Sequence, residues 1–384
     1  MTTDNVRGFQ DTLGEEAEKK EKIREILIAS FKKYGFSPCE TPIIEYEDFV
    51  KQENETDEAV SDIFKLEDKG KRKLALRYEF TFQLKRIAKN QKLPFRRYQI
   101  GEVFRDEPTS ANRFRQFTQA DTDILGAGIR DEAEILALAA GICKELKIDS
   151  KIMVNNRKLI NSVIKSLGIS NTEFVLREID KIEKQGEDTV KSNMGKFISK
   201  DKIVKLFKLL NKPLSFFKKY DGYNETKQLI DLCGVYEIKP VFSLGLARGL
   251  SYYNGSIFEI KSGMKESIAA GGSYLVNGIP ATGISFGLER LTSLAKLKKD
   301  KEEKYLIISI GKDKEAIKLA EKLRKKGKSV IIIDKVSKGL DYANSKKIPY
   351  VIFIGKDEVK KKKVKLRDMK TGKEKLISEK KIYS

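Results

Sequence analysis

The sequence predicts an α+β protein with an antiparallel sheet core flanked by helices, a helical insertion and a C-terminal α/β domain. The stretch from Phe95 to Gly126 alternates apolar and polar residues on both sides of the turn-prone PTSAN, which is typical of a β-hairpin. Between about 157 and 235 the chain is lysine-rich and has the apolar spacing of helices. Beyond the charged segment 295–304, strand and helix patterns alternate, which indicates a small α/β domain.

The other elements follow from the same periodicities. Predicted in chain order are an amphipathic helix over 15–34, a boundary strand near Pro38 and Pro42, a strand over 74–81 that runs into a helix, a helix over 131–146, and a strand over 246–260. In the C-terminal domain the order is strand, helix, strand, strand, and the segment KDEVKKKKVKLRD is either an RNA-facing strand or a solvated edge protected by lysines.

Length and composition bound the class of protein. The 384 residues, 40% of them hydrophobic, are enough for two or three domains. The net charge of +21 favours a polyanionic partner such as RNA, although a solubility adaptation or an AT-rich genome explains the same charge. No signal core or bilayer-length apolar run is present, so the prediction is a cytoplasmic protein without membrane contact.

The residues that are missing exclude several kinds of chemistry. The chain contains no histidine, which excludes Ser/His and Cys/His nucleophile pairs and histidine metal ligands. The three cysteines, Cys39, Cys143 and Cys233, are isolated and are expected to be buried thiols. No residue is predicted to bind a metal directly. Any catalysis must therefore work by charge and positioning.

The hairpin presents reactive side chains on one face. Its first strand has apolar even positions, which leaves Arg105 and Glu107 on the opposite face. On the returning strand the odd positions share that face: Arg113, Arg115, Phe117, Gln119 and Asp123. An arginine fork matches phosphate, an aromatic ring stacks on a base, and a carboxylate accepts from an exocyclic amine, so the mixture suits ATP. From the hairpin alone, the solvated face of an ordinary sheet is the plainer interpretation.

The octet LALRYEFT offers a second group of polar side chains. Glu79 and Thr81 at a strand end can meet an ammonium group, with the carboxylate supplying charge and the hydroxyl a second acceptor. The alternative is that Thr81 caps the following helix and Glu79 lies on the surface. Further along, Gly271 and Gly272 allow close backbone approach.

Five ordered segments resemble the histidyl-tRNA synthetases, a class II aminoacyl-tRNA synthetase family, in an archaeal-like form. They are RGFQDT, LALRYEFT, the hairpin with FRDE and RFRQF (motif 2) followed by QADTDILG, LARGLSYYNG, and GISFGLERL (motif 3). The likeness extends over nearly the whole chain. It implies a class II catalytic domain over 1–298, with the helical insertion at about 157–235, and an anticodon-binding α/β domain over 303–384. It also implies a homodimer formed through motif 1, PCETPIIEYEDF.

The resemblance implies that the chain activates histidine with ATP and Mg²⁺ and transfers it to the 3′ end of tRNA(His). Carried over residue by residue, it implies catalytic roles for Arg105 and Arg248, and tRNA contacts for Arg113 and Arg115. The implied ATP-binding residues are Arg105, Glu107, Phe117 and Arg290. The implied histidine-binding residues are Glu79, Thr81, Gln119, Asp123, Tyr252, Tyr253 and Tyr274.

Three positions depart from the family pattern. Ser251 stands where the family has the aspartate of RGLDYY, and Ser273 and Leu275 stand in the pattern GGRYD. The expectation of an enzyme therefore has an alternative, a catalytically silent paralogue such as the regulatory subunit of ATP phosphoribosyltransferase. Arg248 and the C-terminal α/β tail favour the enzyme. A general RNA-binding module is a third interpretation, which rests on charge alone and would not bind ATP.

Overall fold

The computed structural model describes residues 3–51, 62–110, 113–247, 252–264, 266–297 and 304–382. The chain forms two compact units, Met1–Leu297 and Lys298–Ser384. Within the described ranges, no helix has both the length and the apolar character needed to span a bilayer.

The strands of the first unit are β1 (Ser37–Pro38), β2 (Ile44–Tyr46), β3 (Lys65–Glu67), β4 (Lys73–Leu76), β5 (Phe95–Phe104), β6 (Gln116–Leu125), β7 (Lys151–Asn156), β8 (Val241–Phe242), β9 (Tyr253–Lys261), β10 (Ala269–Val276) and β11 (Ile279–Gly287). Its helices are α1 (Gly14–Lys33), α2 (Glu47–Lys51), α3 (Leu84–Ile87), α4 (Ile129–Glu145), α5 (Arg157–Ser166), α6 (Thr172–Asp180), α7 (Ile182–Gln185), α8 (Glu187–Met194), α9 (Lys200–Leu210), α10 (Tyr223–Val235) and α11 (Leu288–Leu294).

The centre of the first unit is a sheet with the strand order β1-β5-β6-β11-β10-β9-β7-β8. Neighbouring strands are antiparallel except at the two ends, where the short strands β1 and β8 pair in parallel. The antiparallel core predicted from the sequence is therefore confirmed. The predicted hairpin is β5 and β6, paired from Phe95 opposite Leu125 to Phe104 opposite Gln116. Pro38 lies in the edge strand β1, where its missing N–H costs no ladder bond.

The two faces of this sheet have different roles. Even-numbered residues of β5, β6 and β11, such as Tyr98, Ile124 and Phe286, point into the largest hydrophobic core, against α1 and α4. Successive strand residues point to opposite faces, so the odd-numbered residues lie on the other side of the sheet. That second side carries polar residues such as Gln119, Asp121 and Asp123 on β6, and an apolar cluster that includes Leu125, Ile257 and Ala281. The helices thus stabilise one face and leave the other available for a ligand.

Helices α5 to α10 form the region between β7 and β8. Helices α5 to α9, with the short turn after them, build a hydrophobic cluster of their own from residues such as Leu159, Val163, Leu206 and Phe217. Helix α10 instead packs Leu229 and Cys233 into the main core. The side chain of Asn156 caps α5 by accepting from the Lys158 N–H. Because α5 to α9 have a separate core, the central sheet does not supply most of their buried apolar surface.

The cysteines are partly as predicted. Cys143 and Cys233 are buried, and burial raises the pKa of Cys233 to about 12. Cys39 is only half-buried, which corrects the expectation that all three thiols lie in the core. None of the three forms a disulfide.

The second unit is a five-stranded sheet with the order β13-β12-β14-β15-β16. Its elements are β12 (Lys304–Ser309), α12 (Asp313–Arg324), β13 (Ser329–Ile333), α13 (Val336–Ser345), β14 (Tyr350–Ile354), α14 (Lys356–Lys360), β15 (Val364–Asp368) and β16 (Glu374–Ile377). Strands β12, β13 and β14 are parallel, and β15 and β16 add to them in antiparallel orientation. The predicted α/β architecture is confirmed.

Two local predictions in the second unit are wrong. The sequence predicts no helix between β13 and β14, where the structure has α13. Its buried side is made of the small residues Gly339 and Ala343, which give little apolar signal. The segment KDEVKKKKVKLRD, predicted as a strand or strand edge, begins as the helix α14 and becomes the strand β15 only at Val364.

We expect Gly271→Ala to destabilise the first unit by about 3 kcal/mol, because overpacking forces backbone shifts. A Cβ atom at this position in β10 would meet the Gly283 carbonyl oxygen at 2.0 Å and the Phe258 ring at 2.7 Å. Urea unfolding monitored by circular dichroism measures the change in the free energy of unfolding. The matched control is Gly141→Ala in α4, where a Cβ meets nothing within 4 Å and helix propensity should stabilise by about 1 kcal/mol. Equal unfolding curves for the two variants would contradict this account.

Candidate functional site

A cavity of about 890 Å³ lies on the polar face of the central sheet. It has the size of a small-molecule site and brings together residues that are far apart in the sequence. The predicted site residues that line it are Glu79, Thr81, Arg105, Glu107, Arg113, Phe117, Gln119, Asp123, Tyr252, Tyr253, Tyr274 and Arg290. Arg115 does not line it. The predicted catalytic Arg248 and the departure Ser251 lie outside the described residues.

Arg105 is held at one end of the cavity, just beyond β5. Its guanidinium lies over the Phe117 ring at 5.2 Å from the centroid, a cation–π arrangement. Its Nε donates to the Tyr78 carbonyl oxygen at 3.1 Å, and its Nη2 donates to Gln119 Oε1 at 3.4 Å. These contacts fix the plane of a permanent cation against an aromatic ring.

Ion pairs stabilise the loop between β5 and β6. Glu107, which is buried, pairs with Arg113 inside the cavity. Arg115 donates from Nε to the Glu107 carbonyl oxygen at 3.2 Å and pairs with Asp106 at 3.1 Å. The prediction that Arg113 and Arg115 share a face is wrong, because strand pairing begins only at Gln116 and alternation does not apply before it.

The motif at the start of α11 connects this helix to the hairpin. Both carboxylate oxygens of Glu289 accept from the Thr118 N–H at 3.2 Å, and Lys20 of α1 pairs with the same carboxylate at 3.2 Å. The next residue, Arg290, donates from Nη1 to the Ser267 carbonyl oxygen at 2.7 Å. Arg290 is thereby placed on the cavity wall, near the buried Glu259 to which the Ser267 hydroxyl donates at 2.8 Å.

Behind the other end of the cavity lies a buried ion pair that sequence reasoning missed. Arg97 of β5, only 1% exposed, lies directly opposite Asp123 of β6, and its Nη2 is 2.6 Å from Asp123 Oδ2. The Tyr274 hydroxyl donates to the other oxygen of Asp123. The signal for Arg97 was available, since it occupies an odd position of a strand whose odd positions face the ligand side. Asp123 therefore reaches the cavity as part of a network.

Asp121 is the second residue that the sequence analysis missed. It is 4% exposed, lies between Gln119 and Asp123 on the same face of β6, and lines the cavity. Gln119 Nε2 donates to Asp121 Oδ1 at 3.2 Å and to the Ser285 hydroxyl at 2.6 Å. Burial raises the pKa of Asp121 to about 7, with Arg97 lowering it and the Asp123 charge raising it further.

Three tyrosines form the apolar part of this end. The Tyr252 ring centroid is 4.8 Å from that of Tyr253 and 5.6 Å from that of Tyr274. Burial raises the pKa of both Tyr252 and Tyr274 well above the ordinary value, so both hydroxyls stay neutral. Glu79, also buried, lines the same cavity with Thr81.

The departures from the family pattern have different surroundings. Ser273 donates from its hydroxyl to Glu132 Oε1 at 2.5 Å and accepts from the Ser256 N–H at 3.1 Å. Ser273 thus partners a buried carboxylate of α4. Leu275 is half exposed, and nothing in the structure explains a leucine there.

Helices α6 to α9 contribute one side of the cavity. Asp180, Glu183, Phe207 and Asn211 line it, although none of them is among the site residues predicted from the sequence. Glu183 also pairs with Lys261 at the end of β9. The helical region is therefore connected to the sheet at the cavity itself.

Two known families match the chain. "Histidyl-tRNA synthetase" matches residues 8–291, and "Anticodon binding domain" matches residues 304–384. Similar curated proteins include histidine–tRNA ligase 1 of Bacillus cereus, 34% identical over 97% of this chain and 97% of that protein. Another is the histidine–tRNA ligase of Clostridium acetobutylicum, 32% identical over 97% and 96%. Both are bacterial, so archaeal-like character stays a prediction.

Solved structures give the same picture of the fold. A histidyl-tRNA synthetase from Nostoc sp. PCC 7120 is similar with a TM-score of 0.83 and 25% identity, covering 100% of this chain and 99% of that one. A Bacillus halodurans protein described as an ATP phosphoribosyltransferase regulatory subunit/histidyl-tRNA synthetase has a TM-score of 0.76 at 21% identity, over 90% and 96%. At that identity the second likeness shows the fold alone.

We expect Asp121→Asn to become more stable relative to wild type as the pH rises. The folded-state pKa of Asp121, about 7, lies above the usual value for an unfolded aspartate, so folding favours the protonated carboxyl. Wild type therefore loses free energy of unfolding as the pH rises from about 4 to 7, whereas Asp121→Asn does not. From pH 5 to pH 8, the free energy of unfolding of Asp121→Asn should rise by about 2–3 kcal/mol relative to that of wild type. Urea unfolding at each pH measures it, with the exposed Asp149→Asn as a control that should parallel wild type. Parallel curves for Asp121→Asn would refute the assignment.

Proposed function

Because this chain belongs to the histidyl-tRNA synthetase family, we propose that it activates histidine with ATP and transfers the histidyl group to the 3′ end of tRNA(His). The chain is an enzyme, an aminoacyl-tRNA ligase, as its curated relatives are named. The observation that carries the residue-level proposal is the cavity, which joins an arginine and aromatic end to an acidic and tyrosine-rich end. The silent regulatory paralogue is not better supported.

At the first end of the cavity we place ATP. Arg105 and Arg290 are permanent cations that suit phosphate oxygens, Phe117 offers an aromatic face for the base, and Glu107 offers an acceptor for its amine. The Arg105 guanidinium lies over one face of Phe117. Base binding on that face then requires Arg105 to move toward the phosphates, which would couple nucleotide stacking to placement of the catalytic charge.

Mg²⁺ is proposed to enter with ATP. The described residues hold no cluster of three or more side chains of the kinds that ligate metals. Mg²⁺ needs fewer, because it is commonly held by one or two carboxylates together with substrate phosphates and waters. The buried carboxylate of Glu259, close to Arg290 through Ser267, fits such a ligand. The ion would shield the phosphate charge.

At the second end we place histidine. The carboxylate of Glu79 and the hydroxyl of Thr81 are suited to the α-amino group. Gln119, Asp123, Tyr252, Tyr253 and Tyr274 surround the space left for the ring. A pocket of buried polar groups rejects analogues that cannot satisfy them.

The proposed chemistry needs no protein base. The histidine carboxylate is ionised at neutral pH and attacks the α-phosphate, and pyrophosphate leaves. Arg105 stabilises the charge that develops, and Arg248 is proposed to do the same from the segment between β8 and β9. This use of fixed cations is consistent with a chain that has no histidine of its own.

The transfer step requires tRNA. The second unit matches the anticodon-binding family, and we propose that it binds the anticodon of tRNA(His). Arg113 and Arg115 lie in the loop between β5 and β6, and we propose that they contact the tRNA end. The excess of lysine and arginine favours such a polyanion generally.

We further propose a cytoplasmic homodimer. Strand β2 and the residue before it expose large apolar side chains: Ile43, Ile44 and Tyr46 are 45%, 49% and 57% exposed. Contiguous exposed apolar groups of this kind mark interaction sites. They lie in the segment that resembles motif 1.

Amino-acid-dependent ATP–pyrophosphate exchange tests the proposed activity. We expect exchange with histidine and not with the other amino acids, because the polar pocket selects the ring. No exchange by folded protein that still binds tRNA would instead support the silent paralogue. Exchange with a different amino acid would refute the histidine assignment.

Arg105→Ala should lower the exchange rate at least about a hundredfold, because it removes a preorganised charge at the reacting phosphate. Arg248→Ala should do the same. The matched control is Arg130→Ala, an exposed arginine of α4 that does not line the cavity. Exchange kinetics with saturating histidine and ATP give the comparison. Wild-type rates in the Arg105→Ala or the Arg248→Ala variant would refute the role of that arginine.

Ile44→Glu should shift the protein from dimer to monomer, because it buries a charge in the proposed interface. Light scattering coupled to size-exclusion chromatography measures the mass. Val204→Glu, at a similarly exposed position of α9, should leave the mass unchanged. A wild-type monomer, or an unaffected Ile44 variant, would contradict the proposed interface.

A further inference from the structure

The histidine end of the cavity contains more carboxylates than the proposed contacts require. Asp121 and Asp123 lie two residues apart on one face of β6, and both are about 4% exposed. Arg97 is the guanidinium beside them, and it lies opposite Asp123 rather than Asp121. Asp123 is thus neutralised by its partner. Asp121 in its ionised form adds a negative charge that this pair does not compensate.

The groups that face Asp121 come from both neighbouring strands. In register beside it are Gln99 of β5 and Ser285 of β11. On β6 itself, Gln119 donates to it, and Asp123 lies on its other side. Among the described residues, the charged groups nearest this end of the cavity are Arg97, Asp123 and Glu79, with Tyr274 donating to Asp123. Arg105 contacts the far side of Gln119.

We propose that Asp121 makes this pocket selective for a cationic imidazole ring, because the ring supplies the positive charge that the buried carboxylates lack. This inference rests on the proposed function. A buried charge without a partner is costly, so a neutral ring would bind only when Asp121 is protonated. A cationic ring beside ionised Asp121 and a neutral ring beside protonated Asp121 both contain one titratable proton. Asp121 is therefore a specificity-determining residue, separate from the catalytic arginines.

The shared proton predicts how affinity depends on pH. Burial raises the pKa of Asp121 to about 7, close to the ordinary value of about 6.5 for an imidazole. Near neutral pH the free ring and the free pocket already hold about one proton between them. At higher pH that proton must be taken up from solvent, and at lower pH one must be released. Affinity should therefore be greatest near pH 7 and fall on both sides.

The first experiment compares histidine affinity in wild type and Asp121→Asn by calorimetry and by the KM in pyrophosphate exchange. From pH 7 to pH 8.5 wild type should lose affinity by about tenfold or more. The variant should change less than about twofold, because its pocket is neutral and accepts the neutral ring. Asp149→Asn, which removes an exposed carboxylate, should follow wild type. At pH 7 the variant should also discriminate less against triazolylalanine, whose ring stays neutral.

The second experiment uses wild type alone and does not depend on the variant folding. Calorimetry at pH 8 in buffers of different ionisation enthalpy should show uptake of close to one proton per histidine bound. No uptake would overturn the inference, as would an Asp121→Asn variant with the pH profile of wild type. If wild type exchanges pyrophosphate with histidine but shows either result, only this inference fails. If wild type neither binds nor activates histidine, the proposed function fails with it.

Discussion

The buried ion pair between Arg97 and Asp123 is the interaction on which the ligand side of the sheet depends. Taking two charges out of water is expensive, and it is repaid only when the geometry is good and the remaining donors and acceptors are satisfied. Here the residues face each other across a ladder, Arg97 also donates to the Phe80 carbonyl oxygen at 3.2 Å, and Tyr274 donates to Asp123. The pair thereby joins the hairpin, the segment that carries Glu79 and Thr81, and strand β10. Losing one partner would leave the other charge buried without compensation.

The same alternation that builds the hydrophobic core also builds the site. Even positions of β5, β6 and β11 pack under α1 and α4, and odd positions face the cavity. A one-residue slip in any of these strands would exchange the two sets, so the register is specified by both at once. The tight glycines add to this, because Gly271 and Gly283 meet where a Cβ would not fit. The same strand register is therefore required both for packing of the hydrophobic core and for placing the cavity residues.

Sequence patterns predicted what depends on local periodicity. Alternation assigned Phe117, Gln119 and Asp123 to one face because they lie within β6, but it misplaced Arg115, which precedes the first paired residue. Arg97 and Asp121 were missed for a different reason, since charged residues in a strand resemble a solvated face until burial is known. Their burial depends on neighbours that are distant in sequence, such as Ser285 of β11 beside Asp121 and Tyr274 of β10 on the partner of Arg97. The helix α13 was missed because small residues on its buried face carry little hydropathy.

The absence of histidine from the chain gives the cavity a simple acid–base character. Activation by an ionised carboxylate requires fixed cations, and arginines do not titrate near neutral pH. The buried tyrosines stay neutral, and burial raises the pKa of the buried thiol of Cys233 out of this range. Burial raises the pKa of both cavity aspartates of β6, to about 7 for Asp121, while Arg97 opposes the rise for its direct partner Asp123. The bound ring is the natural counterpart of Asp121. The chain has no imidazole side chain of its own, and its proposed histidine pocket uses the carboxylate of Asp121 instead. Burial brings the pKa of this carboxylate close to that of an imidazole, so that Asp121 and the bound ring can share one proton.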